Sequence, residues 1–365
     1  MKAKKAVKGR KSSHSSSLSY VDGSASGSSL GAPLSVPLSC QELVSLADRA
    51  SADADPAGAA VHLRAALLIS PDDASILESF GEVLIALDQV DEARAALEKS
   101  ALIAPNSSAG KWMLLGQLSF GAAAVNAFNR GLIILKSEMM AETTTSSSSS
   151  SSTSPSKLIL RRRVSDAYCS ISELYMTDLC DEPDAETLCD EAACAAREVD
   201  DKNAEAWARS ASLRLCQSKP GEADDFMARA LSILRALDAA EDDEEEEKSE
   251  SLTAATGSIS FSRDFRLDTS RICMEMERYD DAAFLLDRLL GEDDTDMETW
   301  FLAAEAALLA GDAETAVDLA GTADAMLAAA LNARGGKKGG GGGGGGRGQG
   351  PLHVQPQLLL LHQQQ

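Results

Sequence analysis

Histidine is scarce in this chain, and the other reactive residues show no catalytic pattern. Of the four histidines in 365 residues, only His62 lies within the periodic part of the sequence. The seven cysteines include no C-x2-C pair, and no glycine-rich loop is followed by Lys-Ser or Lys-Thr. Zinc sites and phosphate-binding loops depend on such spacings. The sequence therefore predicts no enzyme, no metal and no cofactor, and the odd cysteine count favours a reducing compartment.

Long apolar runs and strand-forming patterns are also missing. No uncharged apolar stretch reaches 18 residues, so no transmembrane helix is expected. The lysines near the N-terminus are not followed by an apolar segment, so no secretory signal is expected either. Alanine, leucine, glutamate and arginine dominate the periodic segments, and these residues favour helix. An all-α fold follows.

A 34-residue period runs through the first part of the chain. The same shift of 34 relates Pro71 to Pro105, Ala59 to Ala93, Leu63 to Leu97 and Leu43 to Leu77. This is the period of the tetratricopeptide repeat (TPR), in which two antiparallel helices, A and B, form one unit. Small residues let the two helices approach closely, and proline ends helix B. We predict a TPR-type helical-repeat solenoid with disordered termini and two low-complexity insertions.

The second half of the chain keeps the same register across an insertion. Trp207 and Trp300 are separated by 93 residues, which is two periods plus a 25-residue insertion over an acidic run. In repeat 3, helix B arrives about four residues early, which predicts a shortened A–B turn at Ser119–Ala122. The predicted organisation is a basic, serine-rich tail (1–38), repeats 1–3 (39–137), a serine-rich loop (138–157), repeats 4–5 (158–237), an acidic linker (238–262), repeats 6–7 (263–333) and a Gly/Gln-rich tail (334–365).

Negative charge is concentrated in the repeats. The whole chain carries a formal charge of −23, whereas residues 1–38 carry +5 and residues 334–365 carry +4, which leaves −32 between them. A surface of this kind repels nucleic acid and anionic membranes and attracts cationic partners. We therefore expect no direct nucleic-acid partner and no membrane partner. The simpler interpretation is that the surface acids only keep the protein soluble.

The position of the acids within the repeats favours a binding role. Positions 2, 5, 9 and 12 of helix A line the concave face of a TPR superhelix. At these positions the sequence places the carboxylates Asp48, Glu78, Glu82, Asp166, Glu173, Glu205, Asp264, Glu298 and Glu305, with Arg271 as the one basic residue found there. We predict an acidic groove that accepts a basic, partly apolar segment. Heat-shock-protein tails, which need lysine and asparagine at positions 5 and 9, are excluded as partners.

Two segments contain more than the repeat requires. Residues 111–119 read KWMLLGQLS and lead into GLIIL at 131–135, and residues 172–180 read SELYMTDLC and lead into EPDAE at 182–186. This pair resembles the dedicated assembly chaperones of large-subunit ribosomal protein L-four, which are eukaryotic TPR proteins, and the resemblance covers most of 39–330. It implies a chaperone that binds the long, basic internal loop of newly made L-four and accompanies it towards the nuclear pre-ribosome. In the matched segment it implies partner-binding roles for Glu173, Met176 and Asp178.

Two functions from different classes remain open at this stage. The first is a non-enzymatic chaperone of a basic ribosomal protein, and the second is a generic TPR adaptor or scaffold in a larger complex. For the first, we expect residence in both cytoplasm and nucleus, and an import receptor as a further partner. An exposed basic cluster is a typical import signal, and the N-terminal tail carries one in Lys2, Lys4, Lys5, Lys8, Arg10 and Lys11.

Overall fold

A computed structural model describes residues 38–145, 155–242 and 261–335 of the chain. These residues form fourteen α-helices and contain no strand. The helices are α1 (Cys40–Ala52), α2 (Pro56–Ile69), α3 (Ala74–Ala86), α4 (Val90–Ile103), α5 (Gly110–Gln117), α6 (Gly121–Thr145), α7 (Pro155–Met176), α8 (Ala185–Val199), α9 (Ala204–Cys216), α10 (Pro220–Asp242), α11 (Arg263–Glu275), α12 (Tyr279–Glu292), α13 (Met297–Leu309) and α14 (Ala313–Gly335). The predicted all-α class is confirmed.

Successive helices form seven pairs, and each pair packs on the next. Odd-numbered helices are the A helices and even-numbered helices are the B helices. The residues that define the 34-residue period lie inside the pairs, because Ala59, Ala93, Leu63 and Leu97 are all buried. The two helices of repeat 2 approach closely at Gly81, where an added Cβ would lie 2.6 Å from the Leu97 side chain. The TPR-type solenoid predicted from the sequence is therefore confirmed.

Polar residues set the starts of several A helices. Ser39, Asp73, Asn203, Ser262 and Asp296 each precede an A helix, and the side chain of each accepts a hydrogen bond from a backbone N–H of the first turn. Such caps stabilise a helix by about 0.5–2 kcal/mol because the first N–H groups otherwise lack a partner. These caps mark where five of the seven repeats begin.

Six of the seven turns between helices A and B have three residues, whereas residues 177–184 connect α7 to α8. In four of the three-residue turns the middle residue, Ala54, Asp88, Ser218 or Glu277, has a positive φ of 55–58°. The predicted shortened turn in repeat 3 is wrong, since three residues also separate α5 from α6. Helix B arrives early because α5 has only 8 residues, against 13 in α1, α3 and α9.

Helices extend into both predicted low-complexity insertions. Helix α6 continues to Thr145 and α7 begins at Pro155, so both ends of the predicted 138–157 loop are helical. Helix α10 continues to Asp242, inside the predicted acidic linker. The middles of these insertions (146–154 and 243–260) and the two terminal tails lie outside the described residues.

Repeats 5 and 6 remain packed together across the acidic insertion. Arg278, which precedes α12, pairs with Asp224 of α10 at 2.6 Å, and Arg235 of α10 pairs with Asp281 of α12. The buried residues of both repeats belong to one apolar cluster, which includes Leu231 and Phe265. The insertion thus leaves the stacking of helix pairs intact. None of the helices in the described ranges is long and apolar enough to cross a membrane.

Candidate functional site: the concave face

The A helices of neighbouring repeats contact one another and form the inner wall of the solenoid. Such contacts join α3 to α5, α7 to α9, α9 to α11 and α11 to α13. The predicted partner-binding residues belong to the A helices, except Asp178, which follows α7: Asp48 on α1, Glu78 and Glu82 on α3, Asp166, Glu173 and Met176 on α7, Glu205 on α9, Asp264 on α11, and Glu298 and Glu305 on α13. Their surroundings divide them into carboxylates with partners inside the chain and carboxylates without them.

Glu78 is held by the start of repeat 3. Its carboxylate accepts hydrogen bonds from Ser108 Oγ at 2.6 Å and from the backbone N–H of Lys111 at 3.1 Å. The Lys111 ammonium lies 3.6 Å from its other oxygen, and the lysine side chain is 0% exposed. Lys111 also donates to Ser107 Oγ at 2.7 Å. Glu78 therefore neutralises a buried cation that the sequence analysis missed, since lysines are rarely buried.

Glu173 and Glu205 share one arginine. Arg209 lies 3.0 Å from the Glu173 carboxylate and 3.5 Å from that of Glu205. The pKa of Glu205 is nevertheless raised, because burial outweighs the attraction of Arg209. Arg209 lies one position beyond position 5 of helix A, so the pattern of concave-face positions in the sequence does not include it.

Glu298, on the last repeat, is also paired within the chain. Its carboxylate lies 2.5 Å from Arg271, the predicted basic residue of the groove, and 3.4 Å from Arg263. Arg263 also binds Asp296 and lies 3.3 Å from the exposed carboxylate of Asp264. The concave face is therefore less uniformly acidic than the sequence pattern indicated.

Asp166 lies in a polar cluster between repeats 4 and 5. Its carboxylate accepts a hydrogen bond from Asn203 Nδ2 at 2.9 Å, and Asn203 also donates to Ser165 Oγ at 2.8 Å. Burial raises the pKa of Asp166 to about 7, although the nearby Arg162 guanidinium favours the ionised form. At neutral pH this carboxylate is thus only partly ionised, which limits its value as a binding charge.

The raised pKa of Asp166 predicts a particular dependence of stability on pH. Between the ordinary pKa of 3.8 and about 7, the folded state binds more protons than the unfolded state, so the free energy of unfolding falls as pH rises. We expect Asp166→Asn to remove this slope and to raise stability at pH above about 7 by on the order of 2 kcal/mol, with no difference at low pH. Urea unfolding across this pH range tests the expectation. Asp264→Asn is the control, because Asp264 is at the same position of α11 and its side chain is exposed. An equal pH response in both variants would contradict the expectation.

Asp178 has a local structural contact. Its carboxylate accepts a hydrogen bond from the backbone N–H of Gly121 at 2.9 Å, across 57 residues of sequence. Gly121 is the first residue of α6 and has a positive φ of 53°. Asp178 thus caps the start of α6 and ties repeat 4 to repeat 3. Only the three-dimensional structure reveals this cap, because the two residues are far apart in the sequence.

Three predicted carboxylates remain open. Asp48, Glu82 and Glu305 are exposed, and none of them forms an ion pair within the described residues. Partial burial and the neighbouring Glu78 carboxylate raise the pKa of Glu82. Beside Glu305, the same helix exposes Phe301 (49%) and Leu308 (62%). The concave face therefore offers open negative charge near both ends of the solenoid and apolar contact at repeat 7, whereas Met176 near its middle is half-buried.

Comparison with known proteins agrees with this architecture. A tetratricopeptide-repeat family model matches residues 50–118. A curated protein of Schizosaccharomyces pombe, described as a probable assembly chaperone of rpl4, is 31% identical over 237 residues, which cover 63% of this chain and 62% of the relative. The chain thus spans less than two thirds of the length of that relative.

A solved structure shares the fold. The structure described as Assembly Chaperone of RpL4 (Acl4), residues 1–338, matches with a TM-score of 0.62 and 23% identity, covering 77% of this chain and 100% of that chain. At this identity the match establishes the fold alone. The chain therefore has a tetratricopeptide-repeat fold, and its resemblance to the assembly chaperones of ribosomal protein L-four (rpl4) is confirmed.

Proposed function

We propose that this protein is a non-enzymatic assembly chaperone that holds a basic extension of a newly made L-four-like ribosomal protein on its concave face. The observation that carries the proposal is the 31% identity over 237 residues to a protein described as a probable assembly chaperone of rpl4. Ribosomal-protein extensions that contact RNA are basic, and residues 39–333, which include the acidic linker, carry a net charge of −32 within a chain of −23. Complementary charge supports the pairing.

The structure indicates which carboxylates are available to such a client. A cationic side chain approaching Glu173 or Glu298 competes with Arg209 or Arg271, which already occupy those carboxylates. Asp48, Glu82 and Glu305 have no such competitor in the described part of the chain. Each exposed ion pair is worth about 0.2–1 kcal/mol, so the client must engage several of them together with apolar contacts.

Charge reversal at the three open carboxylates tests the proposal. We expect the triple variant D48K, E82K and E305K to bind the basic internal loop of L-four at least about tenfold more weakly at about 0.15 M salt. Circular dichroism should show unchanged helicity, because these side chains have no ion-pair partner to lose. Titration calorimetry with the purified loop measures the affinity.

A matched variant separates the site from the total charge. E314K, D318K and D324K reverse three acids of α14 that lie outside the predicted groove and are also without ion pairs in the described ranges. This control variant should keep most of the affinity for the basic loop. Equal weakening by both variants would mean that only net charge matters, and unchanged affinity in the first variant would contradict binding at the concave face.

We also propose that the complex reaches the nucleus with its client. The N-terminal basic cluster, from Lys2 to Lys11, supports this route because import receptors bind such clusters. These residues lie outside the described part of the chain, and the import receptor stays a prediction.

A further inference from the structure

A second groove lies between the B helices α6 and α8, on the outer side of the solenoid. Two adjoining hollows of about 310 and 330 Å³ form it, and they share Val125, Tyr175 and Leu188. Helix α7 supplies its floor through Tyr168, Ile171 and Tyr175. With about 100° per residue, these positions lie on the face of α7 opposite Asp166 and Glu173. We call this surface the α6–α8 groove.

The groove combines an apolar floor with an acidic rim. Ile171 and Ala192 are buried in the floor, while Leu188 and Tyr175 remain partly exposed. Glu182 and Asp184, in the α7–α8 connection, and Glu191, on α8, line its edges. All three acids are exposed, and their side chains form no ion pair or hydrogen bond within the described ranges.

The rim acids are open, as are Asp48, Glu82 and Glu305, which distinguishes them from the paired carboxylates of the concave face. Glu78, Glu173, Glu205 and Glu298 on the concave face are paired with basic side chains of the same chain. The rim acids form no ion pair within the described ranges. A cation of a binding partner therefore does not have to compete with a basic side chain of this chain for them. Asp184 precedes α8 without capping it, so its carboxylate is also not engaged by the helix backbone.

We propose that the α6–α8 groove is a second docking site, and that its occupant is a lysine- or arginine-rich amphipathic segment of a partner protein. Apolar side chains of the segment lie against Val125, Tyr175 and Leu188, and its cations face Glu182, Asp184 and Glu191. The inference stands on the groove itself and does not depend on which client the concave face holds. Because the two surfaces lie on opposite faces of α7, both can be occupied at once.

A model peptide measures this binding directly. The probe is a fluorescein-labelled lysine peptide with leucine at the i, i+3, i+4 and i+7 positions of one helical face. Anisotropy with the full-length protein should show about tenfold weaker binding for the variant E182Q, D184N and E191Q at about 0.15 M salt. The variant E314Q, D318N and D324N, with the same change in charge on α14, should bind like the unmodified protein.

The apolar floor has its own test. Leu188→Ser should weaken binding of the lysine–leucine peptide but leave that of an all-lysine peptide of equal length unchanged. Leu188 is partly exposed, so this substitution should leave the fold intact, which circular dichroism checks. Equal binding by both peptides to every variant would overturn the proposal, because it would show attraction to net charge alone.

Other occupants give different results. If the peptide binds only after residues 1–37 are removed, the groove is filled by the basic tail of the chain itself. The groove is occupied by a second copy of this chain if neutralising the rim acids changes the oligomeric state, as measured by the sedimentation coefficient. Either result overturns the assignment to a partner protein.

Discussion

Replacing Lys111 with methionine is expected to lower the free energy of unfolding by about 3–5 kcal/mol, the usual effect of removing one partner of a buried ion pair. Methionine keeps the apolar stem of the side chain, but the Glu78 carboxylate, only 15% exposed, loses the Lys111 ammonium beside it. Urea unfolding followed by circular dichroism measures the change.

A double variant separates the charge from the packing. In K111M with E78Q no charge is buried, and the glutamine oxygen still accepts from Ser108 and from the backbone N–H of residue 111. The double variant should therefore be more stable than K111M alone. An unchanged unfolding midpoint in K111M would contradict the buried ion pair.

Replacing Gly116 with alanine should lower stability by about 1–3 kcal/mol, as overpacking in a close-packed core does. An added Cβ would lie 2.7–2.8 Å from three ring carbons of Phe128, far inside normal contact distance. The α5–α6 pair is then forced apart, and thermal unfolding should report a lower Tm.

Two further variants make this prediction specific. Phe128→Leu in the G116A background should restore part of the stability, because the smaller side chain makes room for the methyl group. Gly321→Ala in α14 should raise stability by up to about 1 kcal/mol, since no atom lies within 4 Å of the added Cβ and alanine favours helix. Destabilisation of equal size at Gly321 would show that packing against Phe128 is not the cause.

The helices could be predicted from the sequence because their signals are local and repeated. The shared 34-residue shift of Ala59, Leu63 and Pro71 depends on each repeat burying the same positions, and the structure buries both Ala59 and Leu63. The length of α5 could not be predicted in this way. An early helix B is compatible with either a short turn or a short helix A, and sequence spacing does not distinguish them.

The charge partners were the less predictable part of the site. The register of the 34-residue repeat is enough to predict which acids lie at concave-face positions. Whether each carboxylate is free to bind a partner depends on contacts between repeats. Lys111 reaches Glu78 from the next repeat, and Arg209 reaches Glu173 from the next repeat. The cap by Asp178 on Gly121 spans an even longer separation. Such pairings follow from how repeats stack, which a single-repeat pattern does not contain.

Four of the A–B turns share one geometry, since Ala54, Asp88, Ser218 and Glu277 have the same left-handed backbone conformation. In helical-repeat solenoids each repeat is rotated slightly relative to its neighbour, and these rotations add up to a superhelix with a defined pitch. A long bound segment can be accommodated by a slight change of pitch shared among the seven pairs, without opening any pair.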